Sequence, residues 1–206
     1  DLADPNGPKR LFDRMQSTGR AVQFLVNNAG FGTNGEFWTL DRGRELAQLQ
    51  VNVVALTDLC RLFLPGMVER NQGRILNMAS TAAFQAGPYM STYYATKAYV
   101  VSLSEGLAGE LGDTRVKVTA YCPGATESEF AGITGNDESL LFKNGKVASA
   151  AAVAKDAYRA MKLGKTVAVH GAMNNFLAWT GRFVPRGVAA GVAARLNRVP
   201  RSSGER

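Results

Sequence analysis

Four short apolar runs alternate with segments of helical character, and this alternation restricts the possible folds more than any other feature of the sequence. The apolar runs occupy residues 24–28, 73–80, 116–122 and 166–170. Helical patterns fall near residues 9–17, 41–70, 91–111 and 149–163. Strands that alternate with helices form a parallel sheet with right-handed crossovers. We therefore predict an α/β fold built on a parallel sheet.

The composition agrees with a single domain over residues 1–206. The chain has 206 residues, of which 46% are apolar, so it can bury a substantial core. Two cysteines, Cys60 and Cys122, fall on an apolar helix stripe and at the end of an apolar run, where small buried hydrophobes are expected. The one histidine, His170, ends another apolar run, and we expect a capping or surface role. We predict no metal site.

Tyr93 and Lys97 are four positions apart, so a helix would place the phenol and the ammonium on one face. A free tyrosine has a pKa of about 10 and transfers protons poorly near neutral pH. Unit charges about 4 Å apart interact by about 4 kcal/mol at an effective dielectric constant of about 20, so the ammonium is expected to lower the pKa of Tyr93. The competing interpretation is a chance pair, with the tyrosine in the core and the lysine extending to water.

Two further polar residues fall where they could meet this pair. Ser80 ends the apolar run 73–80, thirteen positions before Tyr93, and open α/β sheets bind ligands at such strand ends. Asn52 borders the apolar stripe of the helix predicted near 41–70. The stripe consists of Leu49, Val53, Leu56, Cys60 and Phe63. Taken alone, Asn52 is better explained by a bond to a neighbouring backbone group, because a buried asparagine needs partners.

These residues resemble the short-chain dehydrogenase/reductase family in identity, order and spacing. The resemblance rests on Asn52, Ser80, Tyr93 and Lys97, on Asn-Asn-Ala-Gly at 27–30 and on Pro-Gly at 123–124, and it extends from residue 1 to about residue 171. It implies a Rossmann-like, doubly wound sheet. It also implies that Tyr93 exchanges a proton with the substrate oxygen while Lys97 lowers its pKa and holds the nicotinamide ribose. Ser80 would orient the carbonyl, and Asn52 would anchor a proton-relay water.

The resemblance further implies that the chain binds NADP or NAD, with the preference open because its determinants precede residue 1. Asp1 would face the adenine, residues 28–30 would pass the adenosine side, and residues 123–128 would contact the nicotinamide carboxamide. Ser128 stands where threonine is usual and keeps the hydroxyl. The implied cofactor-binding residues are Asp1, Asn28, Ala29, Gly30, Tyr93, Lys97, Pro123, Gly124, Thr126 and Ser128. From the residues alone, Pro123 and Gly124 are equally consistent with a plain strand-ending turn.

A second glycine pattern imitates a dinucleotide fingerprint. Gly30, Gly32 and Gly35 have the G-x-G-x-x-G spacing after an apolar run, but residues 36–40 intervene before a helix can begin near Asp41. We predict a turn there. The family's phosphate loop belongs to an earlier strand-helix unit, which these 206 residues do not contain, and we expect them to be part of a longer enzyme. Without that unit, the strand at 24–28 would have an uncovered edge.

Two later segments have other compositions. Residues 129–148 are polar and glycine-punctuated, and we predict a substrate lid there. Apolar residues that could line a substrate pocket, or equally belong to the core, are Phe84, Met90, Phe130, Ile133 and Leu141.

The tail 174–206 has a basic amphipathic pattern. It could lie on an anionic membrane or pack against the pocket or a neighbouring subunit, and we favour packing. Nucleic-acid binding is not expected, because no recognised module is present.

The function predicted from the sequence is NAD(P)-dependent oxidoreduction between a small-molecule carbonyl compound and an alcohol, with Tyr93 as general acid and base. The alternatives are a non-catalytic dinucleotide-sensing or scaffold protein and a nucleotide-sugar epimerase. The resemblance suggests a homodimer or homotetramer built on the helices at 41–70 and 91–111. We expect a cytoplasmic enzyme.

Overall fold

The computed structural model describes residues 1–136, 139–140 and 147–199. Its main sheet has four parallel strands, β1, β2, β3 and β6, hydrogen-bonded in that order. They span Phe24–Asn27, Arg74–Met78, Lys117–Cys122 and Val167–Val169 respectively. Each apolar run thus forms the strand that was predicted from it. The α/β fold with a parallel sheet is confirmed.

Helices cover both faces of this sheet, in the doubly wound manner expected. On one face lie α1 (Gly7–Gln16), α3 (Leu56–Glu69) and α4 (Ser91–Glu110). The core on this side joins Phe63 and Val100 to Ile75 and Val118 of the central strands. On the other face, α6 (Ala150–Lys162) packs on β2 and β3. Both faces of β2 and β3 are therefore buried, as their continuous apolar runs require.

At one edge of the sheet, β1 has strand β2 as its neighbour on one side only, among the residues that the structure describes. Leu25 and Asn27 of β1 are buried, whereas Phe24 and Val26 on the opposite face are 41% and 50% exposed. The unpaired side of β1 agrees with the expectation of an uncovered edge, and the exposure of Phe24 and Val26 shows that one face of β1 is uncovered as well.

The helix predicted near 41–70 is interrupted. It begins after Asp41, whose carboxylate caps it by accepting a hydrogen bond from the Arg44 amide, and runs as α2 (Arg42–Leu49). A π-helical turn, Gln50–Ala55, then joins α2 to α3. Such a turn inserts a residue into the helical repeat and shifts its phase. The stripe prediction is therefore wrong at Leu49, which is 38% exposed, while Leu56, Cys60 and Phe63 are buried.

By length and composition alone, one helical stretch in the described part of the chain, Arg42–Glu69, could cross a membrane. Its buried side chains, which include Leu59, Phe63 and Met67, belong to the main core. We therefore interpret this stretch as a core helix.

A small second sheet closes the base of the predicted lid. Its two strands, β4 (Thr126–Glu127) and β5 (Ala148–Ser149), pair in parallel. Between them, α5 (Phe130–Thr134) begins the segment. Leu141, one of the expected pocket residues, lies outside the described residues.

The C-terminal tail forms two helices that are held to the body of the protein. They are α7 (Ala172–Thr180) and α8 (Arg186–Asn197), joined by a short 3-10 helix at Gly181–Phe183. Asn197 is fully buried and donates to the Pro88 carbonyl oxygen at 3.1 Å. Ala193 packs in a cluster with Met90 and Tyr94. The structure therefore shows α8 packed beside the predicted site. Residues 200–206 of the tail lie outside the described residues.

Candidate functional site

The four predicted catalytic side chains come from three different elements and meet near the carboxyl end of the central strands. Ser80 follows β2, Tyr93 and Lys97 lie on the first turns of α4, and Asn52 lies in the π-helical turn. Ser80 caps the short helix Thr81–Phe84, with its hydroxyl accepting from the Ala82 amide at 3.1 Å. This capping fixes the hydroxyl close to the start of α4.

Tyr93 is enclosed, with 9% of its surface exposed. Its ring packs against Phe130, with 5.1 Å between the ring centroids. A Cβ at Gly32 would come within 3.2 Å of the Tyr93 ring, so glycine at 32 allows the chain to pass close over the phenol. Ser80 interacts with the phenol and favours its ionised form. Phe130 of α5 and residues 30–35, which we call the glycine-rich turn, therefore shield the phenol from solvent.

Lys97 is 6% exposed, and its ammonium donates to the Met78 carbonyl oxygen at 2.8 Å. The nitrogen lies 5.6 Å from the centroid of the Tyr93 ring. The predicted pair therefore shares one buried face of α4 and is tied to the end of β2. The alternative interpretation of a lysine that extends to water is wrong.

The expected direction of the tyrosine pKa shift is also wrong for this chain. Burial raises the pKa of Tyr93 to about 12, and the smaller effect of Ser80 in lowering it does not compensate. Burial lowers the pKa of Lys97 to about 8. An effective dielectric constant of about 20 applies to a partly solvated pair, whereas both groups lose hydration in this enclosed site, which disfavours both charged forms.

Asn52 holds the glycine-rich turn against α4. Its amide nitrogen donates to the Phe31 carbonyl oxygen at 2.9 Å and to the Thr96 hydroxyl at 3.1 Å, and its amide oxygen accepts from the Phe31 backbone nitrogen at 3.1 Å. The backbone-bonding interpretation of Asn52 is therefore confirmed. Its contact with Thr96 also places it next to α4, which carries Tyr93 and Lys97.

The segment after β1 also lies at the carboxyl end of the sheet and exposes its backbone there. Asn28, Ala29 and Gly30 are exposed. A Cβ at Gly30 would lie 3.0 Å from Asn52 Oδ1 and 3.5 Å from Lys97 Nζ. Glycine therefore leaves space directly beside the lysine. The backbone from Gly30 to Gly35 forms no helix, so the G-x-G-x-x-G spacing does not open a helix here, as predicted.

The segment after β3 lies on the other side of Ser80. The Ser80 hydroxyl is 3.5 Å from the Pro123 carbonyl oxygen. Thr126 donates its hydroxyl to the Gly124 carbonyl oxygen at 3.0 Å, and Ser128 accepts from the Phe130 backbone nitrogen at 3.3 Å. These bonds shape the entry to the lid. Asp1 is the residue predicted to face the adenine, and it is remote in sequence from this segment. Its carboxylate accepts a local hydrogen bond from the Ala3 backbone nitrogen.

Some of the expected pocket residues lie together and others do not. Met90 and Phe130 pack in the cluster around Tyr93 and Tyr94. Ile133 is 51% exposed, whereas Phe84 lines a different cavity, beside β6 and α7. Tyr94 points to the tail, where its hydroxyl donates to Asn197 Oδ1 at 3.2 Å.

Sequence reasoning missed a buried carboxylate that supports the site. Glu45 is 8% exposed and accepts hydrogen bonds from the hydroxyls of Thr33 and Thr92. It thereby joins the glycine-rich turn to the start of α4. Glu45 is the fourth residue of α2, a position where a glutamate gives no local signal of burial. Only the tertiary contacts reveal that it is buried.

With this geometry established, the family of the chain follows from comparison with known proteins. Residues 1–139, more than half of the chain, match the family described as short chain dehydrogenase. The chain belongs to the short-chain dehydrogenase family. The resemblance inferred from the sequence motifs is confirmed.

Individual relatives support this assignment. The ketoacyl reductase HetN of a Nostoc species is 32% identical over 124 residues, which are 60% of this chain and 43% of that protein. The uncharacterized oxidoreductase YvrD of Bacillus subtilis is 34% identical over 129 residues, or 63% of this chain and 49% of that protein. The chain thus spans about half the length of these relatives.

A solved structure extends the likeness to the whole chain. The short-chain dehydrogenase from Sphingobium yanoikuyae in complex with NADPH is 26% identical to this chain, with a TM-score of 0.76. The match covers 100% of this chain and 77% of that one. The likeness to a solved structure therefore extends beyond residues 1–139 into the C-terminal helices.

Proposed function

We propose that the protein is an NAD(P)-dependent oxidoreductase that interconverts a small carbonyl compound and an alcohol. The observation that carries this proposal is the convergence of Ser80, Tyr93 and Lys97 on one enclosed site at the carboxyl end of the sheet. In doubly wound sheets, ligands bind at the carboxyl end of the strands. The NADPH complex of the Sphingobium yanoikuyae relative supports the nature of the cofactor.

The chain offers a surface that fits a dinucleotide. Exposed backbone at 28–30 lies beside Lys97, where the missing Cβ of Gly30 leaves room next to the ammonium, and the half-buried turn at 123–124 lies beside Ser80. Lys97 would bind the ribose next to the nicotinamide, while Thr126 and Ser128 would contact the carboxamide. A bound nicotinamide supplies or accepts the hydride.

Within this site, each side chain has a separate task. The Ser80 hydroxyl donates to the substrate carbonyl oxygen and polarises it. Tyr93 gives its phenolic proton to the same oxygen as negative charge develops there, so that the carbonyl becomes an alcohol. Asn52 positions the glycine-rich turn against α4 and would anchor the water that returns a proton to the site.

The raised pKa of Tyr93 agrees with a role as proton donor. A phenol with a pKa of about 12 is protonated at neutral pH, which is the form that donates a proton to an oxyanion. In the oxidising direction the phenolate is the base, so the buried phenol must first lose its proton.

Cofactor binding tests the proposal directly. The full-length protein is titrated with NADPH and with NADH while nicotinamide fluorescence is followed, and we expect an increase with at least one of them. Lys97→Met should weaken this binding. Lys162→Met is the matched control, because Lys162 is an exposed lysine on α6. The absence of a fluorescence change with both dinucleotides would contradict the proposal.

A further inference from the structure

The C-terminal helices present an apolar surface that the rest of the described chain leaves uncovered. We call this the tail surface. It consists of Met173, Phe176, Leu177, Trp179, Phe183, Val188 and Val192. Each of these side chains is at least 53% exposed. Exposed apolar patches of this kind usually mark contact with a partner or a membrane.

The arrangement of the tail surface follows from helical spacing. Met173, Phe176 and Leu177 share one side of α7, at spacings of three and four residues, and Val188 and Val192 share one side of α8. The opposite side of α8 is the one that packs inward, through Ala193 and Asn197. The exposed face is therefore the outer face of an element that is firmly held, and it is available for binding.

Charge identifies the kind of partner. Between Asp156 and Val199 the chain has seven lysine and arginine residues and no aspartate or glutamate. Arg182, Arg186, Arg195 and Arg198 are exposed. In the described part of the chain, none of these four arginines forms a salt bridge. A surface that combines exposed aromatic side chains with unpaired arginines complements an anionic phospholipid layer.

A cavity beneath α7 adds to this complementarity. It has a volume of about 430 Å³ and lies against β6, with Trp179 among its lining residues. Three cationic side chains, Arg159, Lys165 and Arg182, line it together with one carboxylate, Asp156. The carboxylate accepts a hydrogen bond from the Tyr121 hydroxyl at 2.7 Å, and its single negative charge leaves the three cationic side chains in excess. The cavity therefore suits the phosphate of a lipid headgroup.

The same charges argue against a second copy of the chain as the occupant. A two-fold contact through the tail surface would bring the arginines of one protomer against those of the other. No carboxylate on residues 157–199 could offset that repulsion. We propose that the tail surface binds an anionic phospholipid bilayer and holds the protein at the membrane surface, whereas its sheet and active site stay outside the bilayer.

Vesicle binding tests this proposal. The full-length protein is mixed with vesicles of phosphatidylcholine alone or of equal parts phosphatidylcholine and phosphatidylglycerol, and partitioning is measured by flotation. We expect binding that requires phosphatidylglycerol. The double substitution of Arg182→Gln and Arg186→Gln should weaken binding to these vesicles by about thirtyfold. The charge-matched control is Arg14→Gln with Arg20→Gln, which removes two exposed arginines near α1 and should leave binding unchanged.

The apolar contribution is tested in the same way. Phe176→Ala with Phe183→Ala should reduce partitioning by at least about tenfold. Phe37→Ala with Trp38→Ala is the control, because this pair is 60% and 80% exposed but lies outside the tail surface. Circular dichroism and thermal unfolding confirm that each variant is folded.

The possible outcomes separate the alternatives. Equal partitioning of the wild type to both vesicle types would overturn the proposal. It would also be overturned if the two phenylalanine substitutions left partitioning unchanged and instead converted a dimer to a monomer in sedimentation velocity, because the tail surface would then bind a second copy.

Discussion

Tyr93 and Lys97 show how strongly the surroundings of a residue determine its chemistry. Both side chains lie on α4 at helical spacing, as their positions in the sequence predict. Burial then shifts their pKa values toward the neutral forms, to about 12 for Tyr93 and about 8 for Lys97. As pH rises, the lysine therefore loses its charge well before the tyrosine ionises. The state with a neutral phenol and a charged ammonium exists mainly below about pH 8.

The buried lysine should produce a defined pH dependence of stability. Its folded-state pKa of about 8 lies below the ordinary value of 10.5, so between these values the unfolded chain binds more protons and stability rises with pH. Below pH 8 the native protein carries the cost of a buried charge. We therefore expect Lys97→Met to be stabilising at pH 7, and expect this advantage to shrink by on the order of 3 kcal/mol as pH approaches 10.5.

Urea denaturation at a series of pH values measures this effect. The control is Lys162→Met, which removes an exposed lysine from α6. Parallel curves for Lys97→Met and the wild type would show that the lysine is not desolvated in the native protein.

At the scale of elements, the π-helical turn Gln50–Ala55 places Asn52 between the glycine-rich turn and α4. Among the described residues, Asn52 is the side chain that bonds both the carbonyl and the amide of Phe31. π-helical turns often occur at functional positions. The interruption therefore gives the asparagine its orientation, and it also turns Leu49 outward.

Two glycines on different elements should respond in opposite ways to alanine. At Gly106, inside α4, an added Cβ would meet no atom within 4 Å. Gly106→Ala should therefore raise the free energy of unfolding by about 0.5–1 kcal/mol. At Gly30 the Cβ would press on Asn52 and approach Lys97, so Gly30→Ala should weaken both stability and dinucleotide binding.

Thermal unfolding and fluorescence titration of both variants measure these effects. Equal behaviour of the two alanine variants would contradict the close approach of residue 30 to Lys97.

The sequence predicted the four strands of the main sheet because apolar runs and turn residues are local signals. The sequence also predicted that Ser80, Tyr93 and Lys97 lie together in one site, because these residues carry the family resemblance. It could not predict the π-helical turn, because the apolar pattern continues through it. The pKa directions and the role of Glu45 depend on contacts with distant elements such as α5, and a single sequence does not contain those contacts.

At the scale of the whole molecule, the described residues form a four-stranded parallel main sheet, with the candidate site at its carboxyl end and a basic tail beside that site. The chain spans about half the length of the curated relatives that it matches. Apolar side chains also remain exposed on the long helices, and they include Leu46, Val54 and Tyr99. We propose that these helices form the subunit interface of a homodimer or homotetramer, in agreement with the family resemblance.

Sedimentation velocity of the full-length protein tests this assembly. We expect a dimer or tetramer, and Val54→Glu should shift it toward the monomer because a carboxylate would be buried at the interface. Val188→Glu places the same charge on the tail surface and should not change the assembly. A monomeric wild type would contradict the proposed interface.

The most direct measurement of the central claim compares turnover in two neighbouring variants, Tyr93→Phe and Tyr94→Phe, with a carbonyl substrate identified by screening against NADPH and NADH. Each variant removes one hydroxyl from a buried ring on α4. We predict that Tyr93→Phe lowers kcat by at least about a hundredfold, because the proton donor is lost. Tyr94→Phe loses only its hydrogen bond to Asn197 and should stay within a few-fold of wild type. Near-normal turnover in folded Tyr93→Phe would contradict the account.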